Sequence, residues 1–267
     1  MTKTFTITFG DVAENHAGME KIGREATHGF SHDNLLKFQH FFNENGIQTE
    51  LYHLNDLLRQ NPALDEKQID DIEDAYVLVA RKGLVTLLDN DPESVQAFYE
   101  EQDVLEKDTK AKMRGRVVNK QARHNLCFAD FSQEADFDQG KGTIIEFSQL
   151  PYLCMVRLSL LELTGLELFA EGNYYYDISK CGIGYHGDSE RKIVVGIRVG
   201  DNMPLHYRWY HKFEVVSPTI KLMLGEGDVY FMSDKATGND WKKSSKYTLR
   251  HSAGSKTYLD EKNDMRV

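Results

Sequence analysis

Residues 184–191 read GYHGDSER, and the pair in that stretch with chemical potential is His186 and Asp188. Residues two apart on a strand point the same way. An imidazole and a carboxylate would therefore reach one point, with Gly187 clearing space between them. A further histidine would complete a set of two imidazoles and one carboxylate, which grips Fe(II) by one face and leaves open positions for a cosubstrate and oxygen. The histidines that follow are His206, His211 and His251. The first two lie in a Tyr/Trp-rich run, too soon after the pair for the chain to cross a sheet and return. His251, in TLRHSAG, comes one or more sheet circuits later and is the expected third ligand. For the pair alone, the alternative is a hydrogen-bonded polar turn leading into the strand of Ile193, Val194 and Val195.

Strands must position such a set, and the sequence supplies them. From about residue 124, short apolar runs alternate with Gly, Asn and Asp turns: RHNLCFADF, GTIIEF, KIVVGIRVG, LHYRWYH, KFEVV, IKLMLGEGDVYFMS, SKYTLRHSAG and SKTYL. Many short strands at this spacing suggest a sandwich or barrel-like core. One helix interrupts, over about 151–166. The preceding region is richer in helix signals. Residues 31–46 have a Ser/Asp start, apolar residues at helical spacing and a closing Gly46. Residues 65–83 begin as an acidic helix and end as an apolar strand, and 91–108 form another helix. The expected class is α+β: a jelly-roll-type double-stranded β-helix core over 123–267, an α/β, helix-rich region over 1–105, and a charged connector over 106–122.

The run EGNYYYDISKCGIGYHGDSERKIVVGIRVG resembles the core of the AlkB-like branch of the Fe(II)/2-oxoglutarate dioxygenases. There an Asn-x-Tyr precedes a Gly-x-His-x-Asp, and an apolar strand ending in Gly follows. FSQLPYLCMVRLSLLELTG is similar to the helix before that strand, and GEGDVYFMS to a later Gly-Asp strand. The likeness covers roughly residues 123–266. It implies that His186, Asp188 and His251 hold iron and that Asn173 and Tyr175 hydrogen-bond 2-oxoglutarate. It also implies an Arg on a following strand for the distal carboxylate, since a guanidinium fork meets a carboxylate in a bidentate way. Arg266 is the only Arg after His251, with Lys256 and Lys262 as rivals. The family usually ends in a strand with two arginines bracketing Asn-x-Thr, whereas DMRV carries one. The implied activity is hydroxylation or oxidative demethylation using Fe(II), 2-oxoglutarate and O2. A modified nucleic-acid base is the first substrate reading. A protein side chain or a small molecule is the alternative, as is a non-catalytic binding protein on the same fold.

Composition bears on these readings. Formal net charge is −10, which weakens a nucleic-acid reading because non-specific affinity comes mostly from Lys and Arg. The charge is uneven: residues 180–256 carry 13 Lys/Arg against 8 Asp/Glu, net +5, leaving −15 for the remainder. Three cysteines, Cys127, Cys154 and Cys181, form no CxxC, and no apolar run reaches membrane-spanning length. An intracellular, non-membrane protein is expected, in the cytoplasm or nucleus. GDVAENHAGMEKIG packs Asp11, Glu14 and His16 closely and reads as capping acids or a second metal site. LHYRWYHKF interleaves aromatic and basic residues, as an amphipathic strand or a base-stacking surface. Arg123 and His124 lie where the family carries a substrate-facing hairpin. Glu190 and Arg191 would orient the ligands or form a surface ion pair.

Overall fold

The chain is described by a computed structural model covering residues 2–259. It opens with a strand, β1 (Thr4–Gly10), then a hairpin of β2 (Val12–Glu14) and β3 (Lys21–Gly23), then helix α1 (His32–Glu44). Ser31 and Asn34 form a capping box at the α1 start, and Leu35, Phe38 and Phe42 supply its buried stripe. β4 (Thr49–His53) follows, then α2 (Glu66–Asp70), β5 (Tyr76–Ala80), α3 (Leu84–Leu87) and α4 (Pro92–Val104). Asp91 caps α4, and Pro92 sits in its first turn, where a missing N–H costs nothing.

The expected connector is a hairpin instead: β6 (Lys110–Met113) and β7 (Arg116–Asn119) join through Arg114 and Gly115, both at positive φ. That is the two-residue geometry whose twist matches paired strands. Next come β8 (His124–Ala129), β9 (Ile144–Glu146), α5 (Pro151–Thr164), β10 (Phe169–Tyr175) and β11 (Gly182–His186). β12 (Val194–Gly200), β13 (Met203–His211), β14 (Glu214–Val215), β15 (Ile220–Leu224), β16 (Val229–Met232) and β17 (Tyr247–Gly254) complete the strands. SKTYL, expected as a strand, starts a short helix, α6 (Lys256–Leu259).

Two antiparallel sheets carry the fold, which is mixed α+β and rich in sheet. The larger runs β4-β5-β16-β12-β1-β10-β8-β9, with only β8 and β9 parallel. The smaller runs β11-β17-β13-β14, with β15 also on β13. Alternation along the central strands of the large sheet sends residues to its two faces. Phe5, Ile7 and Phe9 of β1, with Val195, Ile197 and Val199 of β12, face Phe38, Phe42, Leu153 and Val156 on the helices. Val194, Tyr230 and Met232 face Leu205, Tyr207, Trp209 and Leu249 of the small sheet.

The expected boundary near residue 105 does not divide this structure. β1 lies between β10 and β12, and β5 pairs with β16, so strands from both sides of the boundary form one sheet. One apolar cluster likewise joins Phe5, Leu35 and Phe42 to Leu126, Leu153 and Phe231. The physical reason is β1 itself. All seven of its residues are buried, and a strand apolar on one face and threonine-rich on the other needs neighbours on both edges. Cys127, Cys154 and Cys181 are free, and no helix among the described residues is long and apolar enough to cross a membrane.

Candidate metal centre

β11 and β17 pair so that His186 stands directly opposite His251, with ring centroids 4.5 Å apart. Asp188 lies just past the end of β11. Its backbone N–H donates to Thr237 O at 2.9 Å, and its carbonyl accepts from the Asn239 amide at 3.2 Å. The expected continuous His-x-Asp strand is therefore a strand end plus a tethered turn. One carboxylate oxygen, Asp188 Oδ1, sits 3.6 Å from His186 Nε2 and 3.5 Å from His251 Nε2. The three ligand atoms fall within 4.8 Å of one another, and this is the one such group of three or more among the described residues. Ligands about 2.1 Å from an ion and at right angles would stand roughly 3 Å apart, so small side-chain movements close the set.

The electrostatics suit a cation. His186 Nδ1 lies 2.8 Å from Gly184 O, a contact that uses Nδ1–H as donor and leaves the Nε2 lone pair for a metal. Burial, then the neighbouring His251, pushes the His186 imidazole down to about 3, so it is neutral at ordinary pH. Burial works to raise Asp188, but the charge and hydrogen bond of His251 hold its carboxyl well below the usual range. Two imidazoles and a carboxylate form the donor set that divalent iron takes.

A cavity of about 260 Å³ between the sheets contains the triad. Asn173 and Tyr175 line it from β10 on the opposite sheet. Asn173 is already engaged: its amide donates to Glu171 Oε1 at 3.0 Å, and its oxygen accepts from Arg123 and Asn125. Tyr175 is buried, with its ring 5.9 Å from the Arg198 guanidinium carbon. Arg266 and Lys262 lie outside the described residues, and Lys256, on α6, does not line the cavity.

The other sequence candidates resolve as follows. His206 pairs with Ser252, one register position from the Tyr207–His251 pair, so its side chain leaves the sheet on the other face; His211 stacks on Tyr247. Asp11 accepts backbone N–H groups of Ala26, Lys192 and Ile193, a structural clasp away from Glu14 and His16. In LHYRWYHKF, Tyr207 and Trp209 point into the core, and Trp209 Nε1 donates to Leu54 O. Arg191 is no surface residue. It is 3 % exposed, 2.7 Å from Glu171 and 2.9 Å from Glu190, with Nε 3.8 Å from Asp188 Oδ2. His124 stacks on Tyr176, while Arg123 lines the cavity. Sequence reasoning missed Thr6, Glu171, Arg198, Tyr230 and Trp241, all of which line it. Period-two alternation from Val194 would have placed Arg198 on the inner face of β12.

Glu14, also on the cavity wall, accepts the Gly18 N–H, and burial pushes its carboxyl up to about 7. Between about pH 4.5 and 7 the unfolded chain has released this proton and the folded chain keeps it. Stability therefore falls as pH rises through that window and stays lower above it. Glu14→Gln is expected to stabilise the fold by about 1–3 kcal/mol at pH 8 and by little at pH 4. Thermal unfolding at the two pH values checks this, and equal effects at both would refute it.

No model of a known protein family matches the chain. Over 253 residues it is 46 % identical to the uncharacterized protein R156 of Acanthamoeba polyphaga mimivirus, an alignment spanning 94 % of this chain and 96 % of that protein.

Proposed function

The chain belongs to one family with that mimivirus protein, and we propose that it is an Fe(II)- and 2-oxoglutarate-dependent oxygenase whose metal ligands are His186, Asp188 and His251. The observation that carries this reading is His186 facing His251 across a strand pair, with one Asp188 oxygen nearly equidistant from both. Topology supports the finer fold reading, a double-stranded β-helix. From β10 onward the chain alternates between sheets: β10 large, β11 small, β12 large, β13 and β15 small, β16 large, β17 small. The remaining place, between β10 and β12, is taken by β1 from the N-terminal side.

When bound, iron with 2-oxoglutarate and O2 would supply the chemistry: the 2-oxo acid is oxidised to succinate and CO2 while one oxygen atom enters a substrate C–H bond. The chain's own part is positioning. His186, Asp188 and His251 come from a two-strand pair on one sheet, Asn173 and Tyr175 face them from the other, and Arg191 neutralises the acids beside Asp188. Hydroxylation of an N-methyl group would release formaldehyde, and hydroxylation of a carbon would leave a stable alcohol.

For the substrate, a modified nucleic-acid base fits Trp241, Lys242 and Arg123 on the cavity wall, which offer an aromatic plane and two cations. Glu14 and Glu190 on the same wall favour the second reading, a cationic side chain or small molecule. Succinate and formaldehyde release from methylated oligonucleotides against methylated amines separates the two.

The reaction class is tested by anaerobic titration of metal-free protein with Fe(II) and 2-oxoglutarate, watching for the weak visible charge-transfer band of a chelated 2-oxo acid. The band is expected in the wild type and absent in His186→Ala and His251→Ala, each with iron affinity reduced more than ~100-fold. Bound metal without a band would overturn the cosubstrate, and no metal binding would overturn the oxygenase.

A further inference from the structure

Three arginines line the cavity, and their surroundings differ. Arg191 is met by Glu171 and Glu190. Arg123 is half-buried and donates to Asn173. Arg198 is 1 % exposed, its Nε and Nη1 have no hydrogen-bond partner, and it forms no ion pair among the described residues. A buried cation without an acid is costly, so a partner that the chain itself does not supply is called for.

The walls around Arg198 are built for an anion. Thr6 stands opposite it on β1, and the Thr6 hydroxyl is also buried without a partner. The Tyr175 ring lies on one side. On the other, Gly196 lets the Tyr230 ring cross β12, because a Cβ at 196 would lie 2.0 Å from that ring. The same register row runs from Arg198 through Thr6 to Asn173. The group therefore sits on the sheet facing the triad, inside the same cavity.

We propose that Arg198, with the Thr6 hydroxyl, anchors the distal carboxylate of the 2-oxo acid, an assignment that rests on the oxygenase reading above. It replaces the expectation placed on Arg266. β1 fills the place between β10 and β12, and its inward residues are Thr4, Thr6 and Thr8. With no cation on that strand, the neighbouring strand carries it, one residue across the ladder. A planar fork of donors suits a carboxylate, and a threonine hydroxyl adds a donor to the same anion.

The test uses Mn(II) as a redox-inert metal probe and compares 2-oxoglutarate with 2-oxobutanoate, which lacks the distal carboxylate. Calorimetry on Mn(II)-loaded wild type is expected to show roughly 100-fold tighter binding of 2-oxoglutarate, the scale set by a buried charge pair. Arg198→Met is expected to erase that preference while leaving Mn(II) affinity and 2-oxobutanoate affinity unchanged. Its Tm without ligand should equal or exceed the wild type, since no protein partner of Nε or Nη1 is lost. Arg198→Lys should retain part of the preference. Preserved discrimination in Arg198→Met, no discrimination in the wild type, or a steep fall in the unliganded Tm of Arg198→Met would each overturn the assignment. Wild-type protein that holds no Mn(II) would instead sink the oxygenase reading. In that case, thermal protection of metal-free protein by 2-oxoglutarate, lost in Arg198→Met, would still support the anion site, and no protection would reject it.

Discussion

Removing residues 2–10 is expected to leave no cooperatively folded protein, and residues 123–267 alone are expected not to fold. β1 pairs with β10 along all seven of its residues and with β12 along six, so its loss opens two strand edges in the middle of a sheet. It also removes Phe5, Ile7 and Phe9, each at most 2 % exposed. Burying a side chain of that size stabilises by about 1.5–3 kcal/mol. The three together approach the 5–15 kcal/mol that holds a typical domain. The 123–267 fragment loses Asp11 as well, whose carboxylate clasps the backbone N–H groups of Lys192 and Ile193 just before β12. Ile7→Ala alone should cost about 2–5 kcal/mol, because the strand is pinned on both edges and cannot shift to fill the gap. Urea unfolding followed by circular dichroism measures both effects. A truncated chain that still unfolds in one sharp transition would show that β1 is an accessory strand and would restore the boundary near residue 105.

That outcome bears on what the sequence makes legible. Local signals were readable because their causes are local. Ser31 starts α1, Gly46 closes that segment at positive φ, and alternation marks β12 and β13. The convergence of His186, Asp188 and His251 was readable from residue types with a spacing, and the structure brings the three together. Pairing across the sheet is non-local, and nothing in TFTITFG names the strands that flank it. The boundary at 105 came from a change in element type along the chain, while the sheet was assembled from both sides of that change. The β6–β7 hairpin hid behind its charge, although Arg114-Gly115 is an ordinary two-residue turn. Arg198 was legible as a face, from alternation, but its want of a partner appears only when β1 and β10 are packed beside it.

Gly187→Ala is expected to cost metal affinity more than it costs the fold. A Cβ at 187 would lie 2.1 Å from Gly238 O and 2.7 Å from Gly238 C, both backbone atoms that cannot rotate aside. The glycine thus clears space for the turn at residues 235–238, more than for the gap between its two neighbours that the sequence suggests. That turn cannot retreat freely. Gly238 is itself at φ 69°, with its own missing Cβ 2.5 Å from Leu249 O on β17, two residues before His251. Thr237 O meanwhile holds the Asp188 N–H. Methylating position 187 therefore wedges the His186–Asp188 segment away from the strand that carries His251. With all three ligands present, iron or Mn(II) affinity should fall roughly 10–100-fold, the range for disturbing what orients a metal's ligands. Gly184→Ala is the matched control: its Cβ would meet nothing nearer than Tyr258 O at 3.8 Å, so affinity should stay at the wild-type level. If Gly187→Ala bound metal as tightly as Gly184→Ala, the close approach at Gly238 would not be what sets the ligand geometry, and the placement of Asp188 would rest on its hydrogen bonds alone.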